Sequence, residues 1–261
     1  MTPKLTHDPK KALATSDEMH PFHQHELDRK RVVAAIDALS RASVFGPTPS
    51  NIKDLTLRLF YLKADVVTMT HVLLQLDEVL AASVGALEGD GASSSVRVQR
   101  WKAAATEVFP QIDRLAVAYK ALFFFLRAFH DLAYATLLEL SGQRSGEGTS
   151  MKDCFKPQKG GRSSNNPIRT DIESALPKYE AWFKSFRELR NDLKRGRGHG
   201  SSTSDGRINV TIVLQRGNVS EQYALIGLDD VVLALEMSAG LFGIMKRHAA
   251  AACQSNQSIG R

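Results

Sequence analysis

The stretch KALFFFLRAFHDLAYATLLEL, Lys120 to Leu140, is apolar on nearly all sides of a helical projection. A surface helix keeps a polar face, whereas a helix without one belongs at the centre of a bundle. The stretch is the second half of a helical run from about Val96 to Leu140. Pro110 is predicted to kink or break that run, because proline lacks the N–H and crowds the preceding turn. Inside the central part, Arg127, His130, Asp131 and Tyr134 form a polar row at i, i+3, i+4 and i+7. Such a row pairs within itself and with a neighbouring helix, or it handles a proton. One histidine beside one aspartate favours pairing.

Towards the N-terminus, GDGASSS (89–95) separates this run from a second helix, Ile52 to Leu87. Leu55, Leu59, Leu62, Val66, Met69, Val72, Leu73, Leu76 and Leu80 hold its apolar stripe. A short link between long helices predicts antiparallel neighbours. GPTPSN (46–51) reads as a turn, with Ser50 or Asn51 as the cap of the second helix. A first helix is predicted from His25 to about Ser43, with Leu27, Val32, Val33, Ile36 and Leu39 inward. Residues 1–22 read as a tail. His20, His23, His25 and Glu26 match no zinc-ligand spacing and have no second cluster to complete them, so neither a metal nor a cofactor is expected.

Towards the C-terminus, 141–150 is predicted as a flexible loop, and 151–171 shows no periodicity. A helix then begins near Pro177, with Tyr179, Trp182, Phe183, Phe186, Leu189 and Leu193 on one face, and ends at Gly196 and Gly198. Ile208, Val210, Ile212 and Leu214 alternate, QRGN (215–218) turns, and Val219 to Ile226 returns, which is a β-hairpin at about 207–226. A last helix runs from Val231 to about Ala252, and 254–261 reads as a second tail. The fold class is mainly α: an antiparallel helical bundle in one domain, 23–253, with one β-hairpin inserted before the last helix.

The 261 residues and 43% hydrophobic content are enough for one sizeable core. No linear apolar run approaches a membrane span, and the N-terminus has no secretory h-region. Cys154 and Cys253 stand far apart without ligand spacing, as expected of a cytoplasmic protein. No phosphate loop after a strand and no nucleophile elbow is present, which argues against Rossmann, P-loop and hydrolase chemistry. The net charge of +6 has one source: 152–200 holds 12 Lys/Arg against 6 Asp/Glu, and the rest of the chain balances at 22 against 22. This is the footprint of a polyanion ligand or of a solvated basic loop.

At the end of the 177–200 helix, Arg190 continues the apolar row of Phe183, Phe186 and Leu193, where a guanidinium must find acceptors. A buried ion pair and a phosphate clamp both fit that position. The segment Glu188-Leu189-Arg190-Asn191-Asp192-Leu193-Lys194-Arg195-Gly196 resembles the E-L-R-N-x-h-K-H-G motif of the HEPN superfamily, the higher eukaryotes and prokaryotes nucleotide-binding domains.

The resemblance implies a helical nucleic-acid-interacting protein, RNA-binding, with possible metal-independent ribonuclease activity and RNA or another polyanion as ligand. It also implies a homodimer or a cognate protein partner. The alternative it implies is an inactive interaction module in a toxin–antitoxin or defence complex. Arg190 would stabilise phosphate charge, and a histidine would take the 2′-OH proton. At the motif's histidine position this chain has Arg195, which accepts no proton at neutral pH, so the candidate base is His199 beyond two glycines. Arg187, Asn191, Lys194, Arg195, Arg197, Lys156, Lys159 and Arg162 are the candidate nucleic-acid-binding residues.

Overall fold

In the computed structural model, the described residues are 22–43, 52–88, 93–146, 148–156, 166–195, 197–204, 206–214 and 222–259. The central helix, α3, spans Ser94–Leu140 without a break and carries Pro110 inside it. The predicted break does not occur: Pro110 lies on the exposed side, where water can serve the carbonyl that loses its N–H partner. Leu115, Tyr119, Leu122, Phe123, Leu126, Phe129 and Leu137 of α3 are all fully covered, as its nearly all-round apolarity demands.

The other helices pack around this axis. They are α1 (His23–Arg41), α2 (Lys53–Glu88), α4 (Met151–Cys154), α5 (Pro167–Ala175), α6 (Tyr179–Arg195) and α7 (Leu228–Ile259). α2 runs antiparallel to α3: Ser83 bonds Gln111 at 3.1 Å near one end, while Val72 and Val117 share a groove further along. α1 and α3 both pack on α7. The C-terminal carbonyls of α1 are served from α2, where the covered Lys63 amine donates to Ser40 O at 3.0 Å and Ala42 O at 2.8 Å.

Three strands form one antiparallel sheet in the order β1-β2-β3: Arg197–Ser204, Arg207–Leu214 and Gln222–Ile226. β2 and β3 are the predicted hairpin. β1 is an addition, because RGHGSSTS has no apolar alternation and pairs through its backbone as an edge strand. α1 anchors the sheet. The His25 amide donates to Gly206 O at 2.9 Å, Arg207 pairs with the buried Asp28, and the Ile208 amide donates to His25 Nδ1 at 3.4 Å. His25 Nε2 then meets Asp77 of α2 at 3.0 Å, so this histidine is a structural link.

Other sequence expectations need correction. Leu27 and Val33 are exposed, because α1 is covered along the row of His25, Asp28, Val32, Ala35, Ile36 and Leu39. The aperiodic stretch after α3 contains α4 and α5. The first is too short to show a period, and the second is set by Asn166, whose side chain accepts from Ile168 N at 3.1 Å, with Pro167 in its first turn. α7 begins at Leu228 and continues to Ile259, through most of the predicted tail. Residues 1–21 and the 46–51 turn lie outside the described residues. As helices, α2 and α3 have the length and composition to cross a membrane, which the linear reading missed because charges interrupt the sequence runs. In α3 56% of the most apolar window is buried within the fold, but in α2 only 28%.

Candidate nucleic-acid interface

α6 is strongly two-faced. Tyr179, Phe183, Phe186 and Leu193 are buried, and Phe186 stacks on Phe123 of α3 with ring centroids 5.3 Å apart. Beneath this face sits His130, fully enclosed by Phe129, Tyr179, Trp182, Phe183 and Phe186. Its protonation follows from its partners. Ser238 spends its single hydroxyl proton on Ala234 O at 2.8 Å, so at 3.0 Å it accepts from His130 Nε2–H. His130 Nδ1 therefore accepts from the Tyr179 hydroxyl, and the neutral ring is fully satisfied. Burial, then the charge of Arg127, holds the His130 pKa down to about 3. The pairing expected of the polar row is what α3 shows.

Arg127 pairs with Asp131 at 2.9 Å, donates to Ser150 Oγ at 2.6 Å and lies over the Phe183 ring at 4.8 Å. Its Nη1 is buried with no acceptor among the described residues. Burial lowers the Arg127 pKa, Asp131 opposes that shift, and the charges of Arg187 and Arg190 add to it. Three guanidiniums thus feel one another across the α3–α6 contact. A guanidinium stays protonated, so these groups keep their positive charge, with the Asp131 carboxylate paired to Arg127.

Arg190 itself is half-buried. Its guanidinium lies over Phe124 at 4.8 Å, Nη1 donates to Asn191 Oδ1 at 2.9 Å, and Nε is buried without an acceptor among the described residues. The apolar row therefore takes up the arginine by stacking, not by a buried ion pair.

Beside these arginines a groove of about 970 Å³ opens between α6, α4 and α5. Phe155 contributes half-buried aromatic surface to it, above the buried Tyr179 and Phe183, and Lys152, Lys156, Lys178, Lys184 and Arg187 contribute the positive charge. Three glutamates also line it, but Arg169 holds two of them, Glu173 at 2.7 Å and Glu180 at 2.8 Å. Lys156 is paired with Asp153. Among the described residues Lys152, Lys178, Lys184 and Arg187 make no ion pair, which leaves the groove with surplus positive charge.

Of the residues singled out in the sequence, Arg187, Asn191 and Lys156 line this groove, with Arg190 beside them on the α3 side. Lys194 is exposed further along α6. His199 falls at a β-bulge of β1, between Gly198 and Gly200. Lys159 and Arg162, and the side chains of Arg195, Arg197 and His199, lie outside the described residues. Lys152, Lys178 and Lys184 were missed because each is an isolated lysine in sequence. Lys178 alone carried a local signal, the turn after Pro177, where it adopts a positive φ of 74°. Among the described residues no group of histidine, cysteine and carboxylate side chains is placed to hold a metal.

No family model matches this chain, and comparison with characterised proteins and with solved structures gives no match.

Proposed function

We propose that this protein binds RNA through the basic groove along α6, as a HEPN-like nucleic-acid-interacting protein of the cytoplasm. The observation that carries the reading is the lysine-rimmed groove, where Lys152, Lys178, Lys184 and Arg187 make no ion pair among the described residues and Phe155 offers aromatic surface. Backbone phosphates pair with such exposed cations, and bases stack on accessible aromatic faces such as that of Phe155. Binding without cleavage is the favoured form. Arg190 is engaged by Phe124 and Asn191, and arginine stands at the position of the motif's histidine. The non-catalytic module that the resemblance implies uses the same groove.

The test is fluorescence anisotropy with a labelled single-stranded RNA in EDTA. Four engaged cations give a log K against log salt slope of about −3. Lys184→Glu and Arg187→Glu should each weaken binding about tenfold and flatten that slope. Salt-independent binding, or unchanged affinity in both variants, removes the groove. RNA cleavage by the wild type that is lost in both Arg190→Ala and His199→Ala would restore the ribonuclease reading over the binding one.

A further inference from the structure

On the face of α6 opposite the basic groove, a second cavity of about 520 Å³ opens against α7, with Phe123 of α3 at its floor. The two share only Lys178 and Ala181. Small-molecule sites span roughly 300–1,000 Å³, and this cavity has that size. Its walls are apolar. Trp182 stacks on Phe186 with ring centroids 5.1 Å apart on the α6 side, and Leu233 and Met237 stand on the α7 side. Trp182 and Met237 are half-buried and Leu233 is 38% exposed, so the wall is open to a ligand.

One carboxyl stands in this lining. Asp230 is half-buried, accepts from Gly227 N at 3.0 Å through Oδ2, and makes no ion pair among the described residues. Burial raises its pKa to about 6 against the Gly227 bond, and the charge of Asp229 adds to the rise. At neutral pH the group is still ionised, poorly solvated and uncompensated. Lys178 reaches the rim, but it is exposed and is not among the groups that act on Asp230. We propose that this cavity binds an organic amine, a small molecule with an apolar or aromatic body and one protonated amino group. The ammonium pairs with Asp230, and the body lies between Trp182 and the Leu233–Met237 wall. The choice of ligand follows from the charge. A neutral body would strip water from the carboxylate and return no partner, and an anion would be repelled by it. A cation gains a charge-assisted hydrogen bond, and the indole of Trp182 adds attraction for it. The cavity lies across α6 from the basic groove, and the inference is independent of RNA binding.

The experiment is isothermal titration calorimetry of the full chain with 4-phenylbutylamine, and with 4-phenylbutanol and 4-phenylbutyrate as probes of the same body. At pH 7.5 the amine should bind at least tenfold more tightly than the alcohol or the acid. In a Trp101→Phe background it should also shift the emission of Trp182. Asp230→Asn should bring the amine down to the affinity of the alcohol. Leu233→Lys, which sets a competing cation one turn from Asp230, should do the same without touching the carboxyl. Between pH 7.5 and 5 the amine affinity of the wild type should fall about tenfold as the carboxyl takes up its proton, while that of the alcohol holds. No binding of the amine at millimolar concentration overturns the proposal. So does an alcohol or acid that binds as tightly as the amine, or amine binding that is unchanged in both Asp230→Asn and Leu233→Lys.

Discussion

Two titrating groups, one buried and one half-buried, pull stability in opposite directions with pH. His130 has a folded pKa of about 3 against an ordinary 6.5, so between those values the unfolded chain holds a proton that the folded chain refuses. Its contribution is present above pH 6.5 and is lost as pH falls towards 3. Asp230, at the start of α7, is raised from 3.8 to about 6, by burial first and then by the neighbouring Asp229, against the Gly227 amide that bonds it at 3.0 Å. Its contribution is present below pH 3.8 and is lost as pH rises through 6. Each slope is about 1.4 kcal/mol per pH unit, so between pH 4 and 6 they largely cancel. Urea denaturation of single variants should separate them. His130→Gln should unmask a stability that declines from pH 4 to 6, and Asp230→Asn one that climbs over the same interval. Matching pH profiles for both variants and the wild type would show that neither group titrates as its burial requires.

At the scale of elements, α7 offers a controlled comparison between two glycines three residues apart. A Cβ on Gly243 would meet nothing within 4 Å, so Gly243→Ala should add about 0.5–1 kcal/mol by helix propensity alone. A Cβ on Gly240 would stand 2.4 Å from Leu176 Cδ2, in the segment joining α5 to α6. Gly240→Ala should therefore lose the propensity gain and cost about 1–3 kcal/mol as Leu176 is displaced. Thermal melts decide it: equal shifts in both variants would place Leu176 away from α7. The same two forces explain which elements were legible in the sequence. Helices of 36 and 47 residues repeat their period many times, so α2 and α3 are plain, and β2 alternates cleanly. α4 is a single turn, fixed partly by the Ser150 amide bonding Asp153 at 3.1 Å, and β1 is held by partners that no local pattern reveals. The groove was half legible for a similar reason. Arg187, Arg190 and Asn191 share one helix face, whereas Lys152 and Lys178 reach it from separate segments that only tertiary packing brings together.

Over the whole molecule, one small buried polar chain is among the contacts that attach the sheet to the bundle. Ile208 N donates to His25 Nδ1, which fixes the imidazole proton on Nε2, and that proton goes to Asp77 of α2. β2, α1 and α2 are joined in series, with both His25 and Asp77 about 1% exposed. Removing the last acceptor strands a buried N–H, which costs about 1–3 kcal/mol, and leaves Arg29, 3.8 Å away, short of its inner carboxylate. Asp77→Ala should thus lower global stability by about 2–3 kcal/mol, and Asp77→Asn by less, since the amide oxygen can still accept. The distribution of the loss is the sharper test. Hydrogen exchange should quicken most at the amides of Ile208 and Val210, while the amides around Leu122 and Leu126 in α3 slow or quicken only with global stability. Loss of protection confined to α2, with β2 unchanged, would mean that the sheet is held by its packing on α3 and that the His25 chain is incidental.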